Sequence, residues 1–173
     1  MHSYFNTLRR IARHRWLAFR DVATRAITAD MRKRLEQRIA ASESLHSGQI
    51  RIYVESALPL GYLWRGASAR ERAITQFGKL RVWDTESNNG VLIYLLMAEH
   101  AIEIVADRGL CRAVPPQDWR KMVEHLGQSL ASGHWEEGLV QALDETSAAL
   151  VSHFPVPAGT VRQNEQPDTP MVR

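Results

Sequence analysis

The chain reads as a single small α/β domain, a small mixed sheet flanked by helices on both faces. Three observations predict this. Helical and strand-like segments follow one another as helix, strand, helix, strand, strand, helix, helix, an order that builds a sheet between helical layers. Val91 to Met97 is apolar on both faces of a two-residue repeat, as a central covered strand must be. Only a short turn separates it from the next strand, which requires the two to run antiparallel. At 173 residues, 45% apolar and 24% charged, the chain is long enough for one buried core and too short for two.

The N-terminal segment, residues 1–27, holds six arginines (Arg9, Arg10, Arg13, Arg15, Arg20 and Arg25) against Asp21 alone, so the remainder is slightly acidic. Leu8, Ile11 and Phe19 follow helical spacing, but Arg15 interrupts the stripe. Two readings stay open for this basic arm. One is an amphipathic segment that touches anionic membrane. The other, which the broken stripe favours, is a helix packed on the domain or a frayed arm.

The domain is expected over residues 28–154. Thr28 caps a helix with Met31, Leu35 and Ile39 on one face, running to about His46 and stopping at Gly48. Gln49 to Glu55 alternates as a strand with two unlike faces. Ser68 caps the next helix, with Glu71 placed as in a capping box and Ala73, Phe77 and Leu80 turned inward. A polar loop, Asp84 to Gly90, ends in the turn signal Asn89-Gly90. After the hairpin of Val91–Met97 and Ala101–Ala106, Asp107-Arg108-Gly109 ends the second strand. Pro115-Pro116 then opens a helix with Trp119, Met122, Val123, Leu126 and Leu130 on its apolar stripe. Gly133 ends it, and His134 to His153 forms the last helix. Residues 155–173, rich in Pro, Gln and Thr, read as a disordered tail. Trp64, Trp83, Trp119 and Trp135 read as core residues, with Trp83 alternatively a lid over the polar loop. His46 and His153 are placed at helix ends.

Several chemistries lack their motifs. The seven histidines form no HExxH, and neither GxGxxG, GxxxxGK[ST] nor GxSxG occurs. Cys111, the one cysteine, has no adjacent base and reads as a bystander thiol. No apolar run approaches the ~20 residues that cross a bilayer. These features fit a cytoplasmic protein, with attachment to the membrane periphery left open. Nucleic acid is not expected as a partner, since the basic residues cluster only in the arm.

Polar residues gather at strand ends. Asp84, Glu86, Asn88 and Asn89 crowd the loop before the central strand, Asp107 and Arg108 follow its hairpin partner, and Glu55 ends the first strand. An antiparallel hairpin sets the loop beside Asp107. Carboxylate and amide oxygens at short spacing suit a hard cation such as calcium. The spacing is not that of an EF-hand, however. On spacing alone the simpler reading is an Asx-turn loop bonded to its own backbone. Arg108 pairing with Asp84 or Glu86 would likewise make the cluster structural.

Ser42-Glu43, His46-Ser47-Gly48-Gln49-Ile50, Asn88-Asn89-Gly90-Val91-Leu92-Ile93-Tyr94, Ile102-Glu103-Ile104-Val105-Ala106-Asp107-Arg108-Gly109 and Gly133-His134-Trp135-Glu136-Glu137-Gly138 together resemble the TPM domain, over about residues 31 to 154. The resemblance is to a soluble, proteobacterial-type branch, without the signal peptide and membrane helix of many relatives. It implies a Rossmann-like α/β/α sandwich. It also implies calcium at an acidic cluster, weak acid phosphatase activity, or service in membrane-bound assemblies. Carried onto this chain, the matching cation positions are Asp84, Glu86, Asn88, Asn89 and Asp107. Where many relatives have glycine-aromatic-glycine, this chain has Asp107-Arg108-Gly109, which adds a charge pair. Three functions follow as expectations. The first is a non-catalytic binding or accessory domain for an unknown protein or membrane-surface partner, with or without calcium. The second is a metal-assisted phosphatase with Asp84 or Asp107 on the cation and Arg108 on the developing charge. The third is a membrane-peripheral scaffold using the arm.

Overall fold

The computed structural model describes residues 2–156 and 167–173, with side chains from Asn6 onward. In chain order the elements are α1 (His2–Phe19), α2 (Val22–Ala26), α3 (Ala29–Glu43), β1 (Ile50–Glu55), α4 (Leu60–Trp64), α5 (Ala69–Lys79) and β2 (Val91–Leu96). A single 3₁₀ turn at Met97–Glu99 leads to β3 (Ala101–Ala106), α6 (Arg108–Ala113), α7 (Pro116–Ala131), α8 (Trp135–His153) and β4 (Met171–Val172). The sheet order is β3-β2-β1-β4. β2 and β3 pair antiparallel with Val91 opposite Ala106, as the short connection requires, while β1 runs parallel to both β2 and β4.

Alternation within the strands builds two cores, one on each face. Ile50, Ile52, Val54, Val91, Ile93 and Leu95 face α3, α7 and α8. Tyr53, Leu92, Tyr94, Leu96 and Val105 face α4 and α5. Every residue of β1 and β2 is therefore buried, including Arg51, Tyr53 and Glu55 on the polar side of β1. Thr28 accepts the Met31 N–H at 3.2 Å and Ser68 accepts the Glu71 N–H at 3.2 Å, so both caps sit where the sequence placed them.

Four features depart from the sequence reading. The helix expected to reach His46 ends at Glu43, and His46 instead lies buried, bridging to Pro155 and bonded to Ser42 Oγ at 2.9 Å. Asp107 does not merely end a strand. It caps α6, accepting the Arg108 N–H at 2.7 Å. The tail expected to be disordered returns to the sheet: Arg173 N–H donates to Val54 O at 2.9 Å and Ser56 N–H to Arg173 O at 2.5 Å. Backbone groups on the outer side of β1 need partners once the strand is buried, and the tail supplies them. The rest of that expectation, residues 157–166, lies outside the described residues. Finally, Trp64 and Trp83 are half exposed, whereas Trp119 and Trp135 pack on the core as expected.

The basic arm is a helix docked on the domain. Arg10 bonds Glu99 Oε1 and the Ala67 carbonyl. His14, only 1% exposed, accepts the Leu58 N–H at Nδ1 (3.0 Å). Its proton therefore sits on Nε2, directed at Glu99 Oε1 3.1 Å away. Burial holds the imidazole below its ordinary pKa, with Glu99 opposing in part. The unfolded chain thus takes up this proton more readily than the folded one, and stability drops as pH falls through the ordinary histidine range, about 6.5 and below. The thermal midpoint should fall between neutral and mildly acidic pH. A His14→Asn variant should start from a lower midpoint and show a flatter profile over that interval.

Candidate functional site

The hairpin register brings the polar loop to the end of β3. Asp107 N–H donates to Gly90 O at 2.8 Å and Gly109 N–H to Asn88 O at 2.9 Å. Asn88 takes a left-handed φ of 52°, and Asn89 N–H is held by Thr85 Oγ1 at 3.0 Å. Asn89 is fully buried and donates its amide to Ser47 Oγ at 2.9 Å, while its Oδ1 has no partner. Asp107 Oδ2 is also buried and unpartnered. Arg108 Nε donates to Asn88 Oδ1 at 3.1 Å, so its bond is to the amide rather than to Asp84 or Glu86. Asn88, Asn89, Asp107 and Arg108 therefore form one corner. Asp84 and Glu86 stand exposed on the outer part of the loop. Among the described residues, no three His, Cys, Asp or Glu side chains gather in metal-ligating geometry. What the corner offers a cation is the Asp107 carboxylate oxygen with backbone carbonyls nearby; Asp107 lies opposite Gly90, so the unpartnered amide oxygen of Asn89, one residue earlier, falls on the other face of the sheet.

Glu55 belongs elsewhere. It pairs with Leu96 at the far end of the sheet, five strand residues from the corner, or roughly 17 Å. There it is 2% exposed and takes two bonds from Arg72, Nε at 2.9 Å and Nη2 at 2.5 Å, and one from Tyr94 Oη at 2.8 Å. Arg72 lies 5.0 Å from the Tyr62 ring centroid, and the Gln76 amide oxygen, turned toward the guanidinium, accepts from it at 2.6 Å. Burial works against the Arg72 cation, but the bonds and charge of Glu55 outweigh it and raise its pKa. Burial, and then the Glu55 charge, raise that of the Tyr94 phenol. Beside this pair a cavity of about 310 Å³ opens at the carboxyl end of β1, lined among others by His14, Asp21, Glu55, Ser56 and Arg173. Such a position is where open α/β sheets hold ligands. Here, however, Glu55, Arg72 and His14 are committed to protein partners.

The family profile of the TPM domain matches residues 22–149. The chain belongs to the TPM domain family. The fold agrees with that of BA42, a protein from the psychrophilic bacterium Bizionia argentinensis solved by NMR. The TM-score is 0.72 at 26% identity, over 83% of this chain and 93% of BA42. Proteins with curated functions give no match.

In this TPM domain, α1 and β4 lie outside the span the family profile covers. Arg72, Tyr94 and His14 escaped the sequence reading. Arg72 had a legible signal: it shares the buried face of α5 with Ala69, Ala73 and Gln76, where a lone charge demands a buried partner. Cys111 is exposed and bonds the Ala106 carbonyl at 3.2 Å. Partial burial of the sulfur raises its thiol pKa, which does not activate it. No helix among the described residues is long and apolar enough to cross a membrane.

Proposed function

We propose that this TPM domain is a non-catalytic binding or accessory module whose β2–β3 corner takes a hard cation, calcium being the ion its oxygen-only donors suit. The observation that carries this reading is Asp107 Oδ2, a buried carboxylate oxygen without a partner at the end of β3. Oxygens buried without a donor cost stability unless an ion or water completes them. One carboxylate and a nearby guanidinium give little charge to hold the ion, so a weak site follows, with Kd of about 10⁻⁴–10⁻³ M. An accessory role is favoured over catalysis because Glu55 and His14, which line the cavity, and Arg72 beside it are all committed to protein partners.

Calcium calorimetry tests this. Saturable binding in that range, with a rise in thermal midpoint, is expected for the parent chain. Asp107→Asn should abolish it without unfolding, because asparagine caps α6 as well as aspartate does. Absence of binding at about ten times that concentration would sink the cation site. Calcium-dependent turnover of a phosphomonoester, lost in Asp107→Asn, would replace the accessory reading with a phosphatase.

A further inference from the structure

α1 has two working faces, and the domain uses one. At 3.6 residues per turn, Thr7, Arg10, Ile11, His14 and Leu17 fall on the side that meets the domain, and these are its buried or half-buried positions. Leu8, Ala12, Trp16 and Phe19 fall together on the opposite side and are all exposed. Phe19 is 90% exposed and Trp16 56%, large values for aromatic groups in a helix pinned to its domain. Arg9, Arg13 and Arg20 flank this stripe on one side and Arg15 on the other, every one exposed. The Arg20 guanidinium lies 4.8 Å from the Trp16 ring centroid. α1 contains no acidic residue, and Asp21 follows only after its end. The broken stripe of the sequence is thus two superimposed patterns, one for each face.

We propose that the outer face of α1 docks this protein onto an anionic lipid surface while the inner face stays held to the domain. An apolar stripe with arginines on both flanks matches the membrane interface. The aromatic groups enter the acyl boundary and the guanidinium groups remain at the depth of lipid phosphates. A second copy of the chain fits poorly, because its own four arginines would face these four. A nucleic-acid duplex would set phosphates against the apolar centre of the face. The helix lies before the span matched by the family profile. On α4, against which α1 packs, Leu60 and Trp64 are also about half exposed.

The full chain should sediment with phosphatidylcholine vesicles in which a third of the lipid is phosphatidylglycerol, and not with phosphatidylcholine alone. Trp16→Ser with Phe19→Ser should abolish this. Arg9→Gln with Arg13→Gln and Arg20→Gln should weaken it by about fivefold per arginine. All these side chains point outward, so each variant should melt close to the parent. The arginine set tests the proposal independently if the aromatic pair does not. Asp107→Asn should sediment like the parent, which separates this inference from the cation site. Three results would overturn it: no sedimentation with the anionic vesicles, equal sedimentation of parent and variants, or loss in these variants of self-association or duplex DNA binding without any vesicle binding.

Discussion

Arg72→Met should destabilise the chain by about 3–5 kcal/mol in urea unfolding, the usual cost of stranding one charge of a buried ion pair. Glu55 is 2% exposed and Arg72 3%, and the carboxylate keeps only Tyr94 once the guanidinium is gone. Glu55→Leu combined with Arg72→Met should recover most of that loss, because an apolar pair of similar volume needs no compensation. A loss under about 1 kcal/mol for Arg72→Met alone would mean that water from the neighbouring cavity rehydrates Glu55, and that the pair is not structurally essential.

Gly90→Ala should be at least as damaging, above about 3 kcal/mol, the upper end for overpacking. A Cβ at Gly90 would sit 1.8 Å from the Val82 carbonyl oxygen and 2.9 Å from its carbon. Neither side can give way. Val82 N–H is bonded to Phe77 O at 3.0 Å, and Gly90 O receives the Asp107 N–H at 2.8 Å. Gly61→Ala supplies the contrast, since nothing lies within 4 Å of a Cβ there and α4 gains a better helix former. Thermal melts of the two variants decide the matter. Similar midpoints would show that the Val82 segment moves aside freely.

The sheet was legible because its strands obey local rules. An apolar run, an alternating run and a short connection place β1, β2 and β3, and the caps at Thr28 and Ser68 are a matter of neighbouring residues. What depends on distant partners was not legible. Asn89-Gly90 looked like a turn signal, yet the left-handed residue is Asn88, and Gly90 is needed because Val82 passes against it. Glu55 looked like a site residue because it ends a strand. Its partner Arg72 comes from a helix whose register against β1 no local pattern reveals. The candidate corner was half visible. The hairpin joins Asn88, Asn89, Asp107 and Arg108, but the excursion of the loop, which carries Asp84 and Glu86 outward, is set by its own backbone bonds from Asp84 N–H to Arg81 O and Asn88 N–H to Thr85 O.

β4 is only two residues long, yet it decides what neighbouring molecules can do. β1 is a six-residue strand covered on both faces, and without β4 one flank of Tyr53 and Val54 would present bare backbone donors and acceptors. Such a flank is a template on which another chain can grow. The opposite border of the sheet is blunted differently, by Arg70 placing a guanidinium nitrogen 2.6 Å from the Ile104 carbonyl. One border is reduced to a two-residue strand and the other carries a positive charge, two devices that discourage growth of the sheet strand by strand.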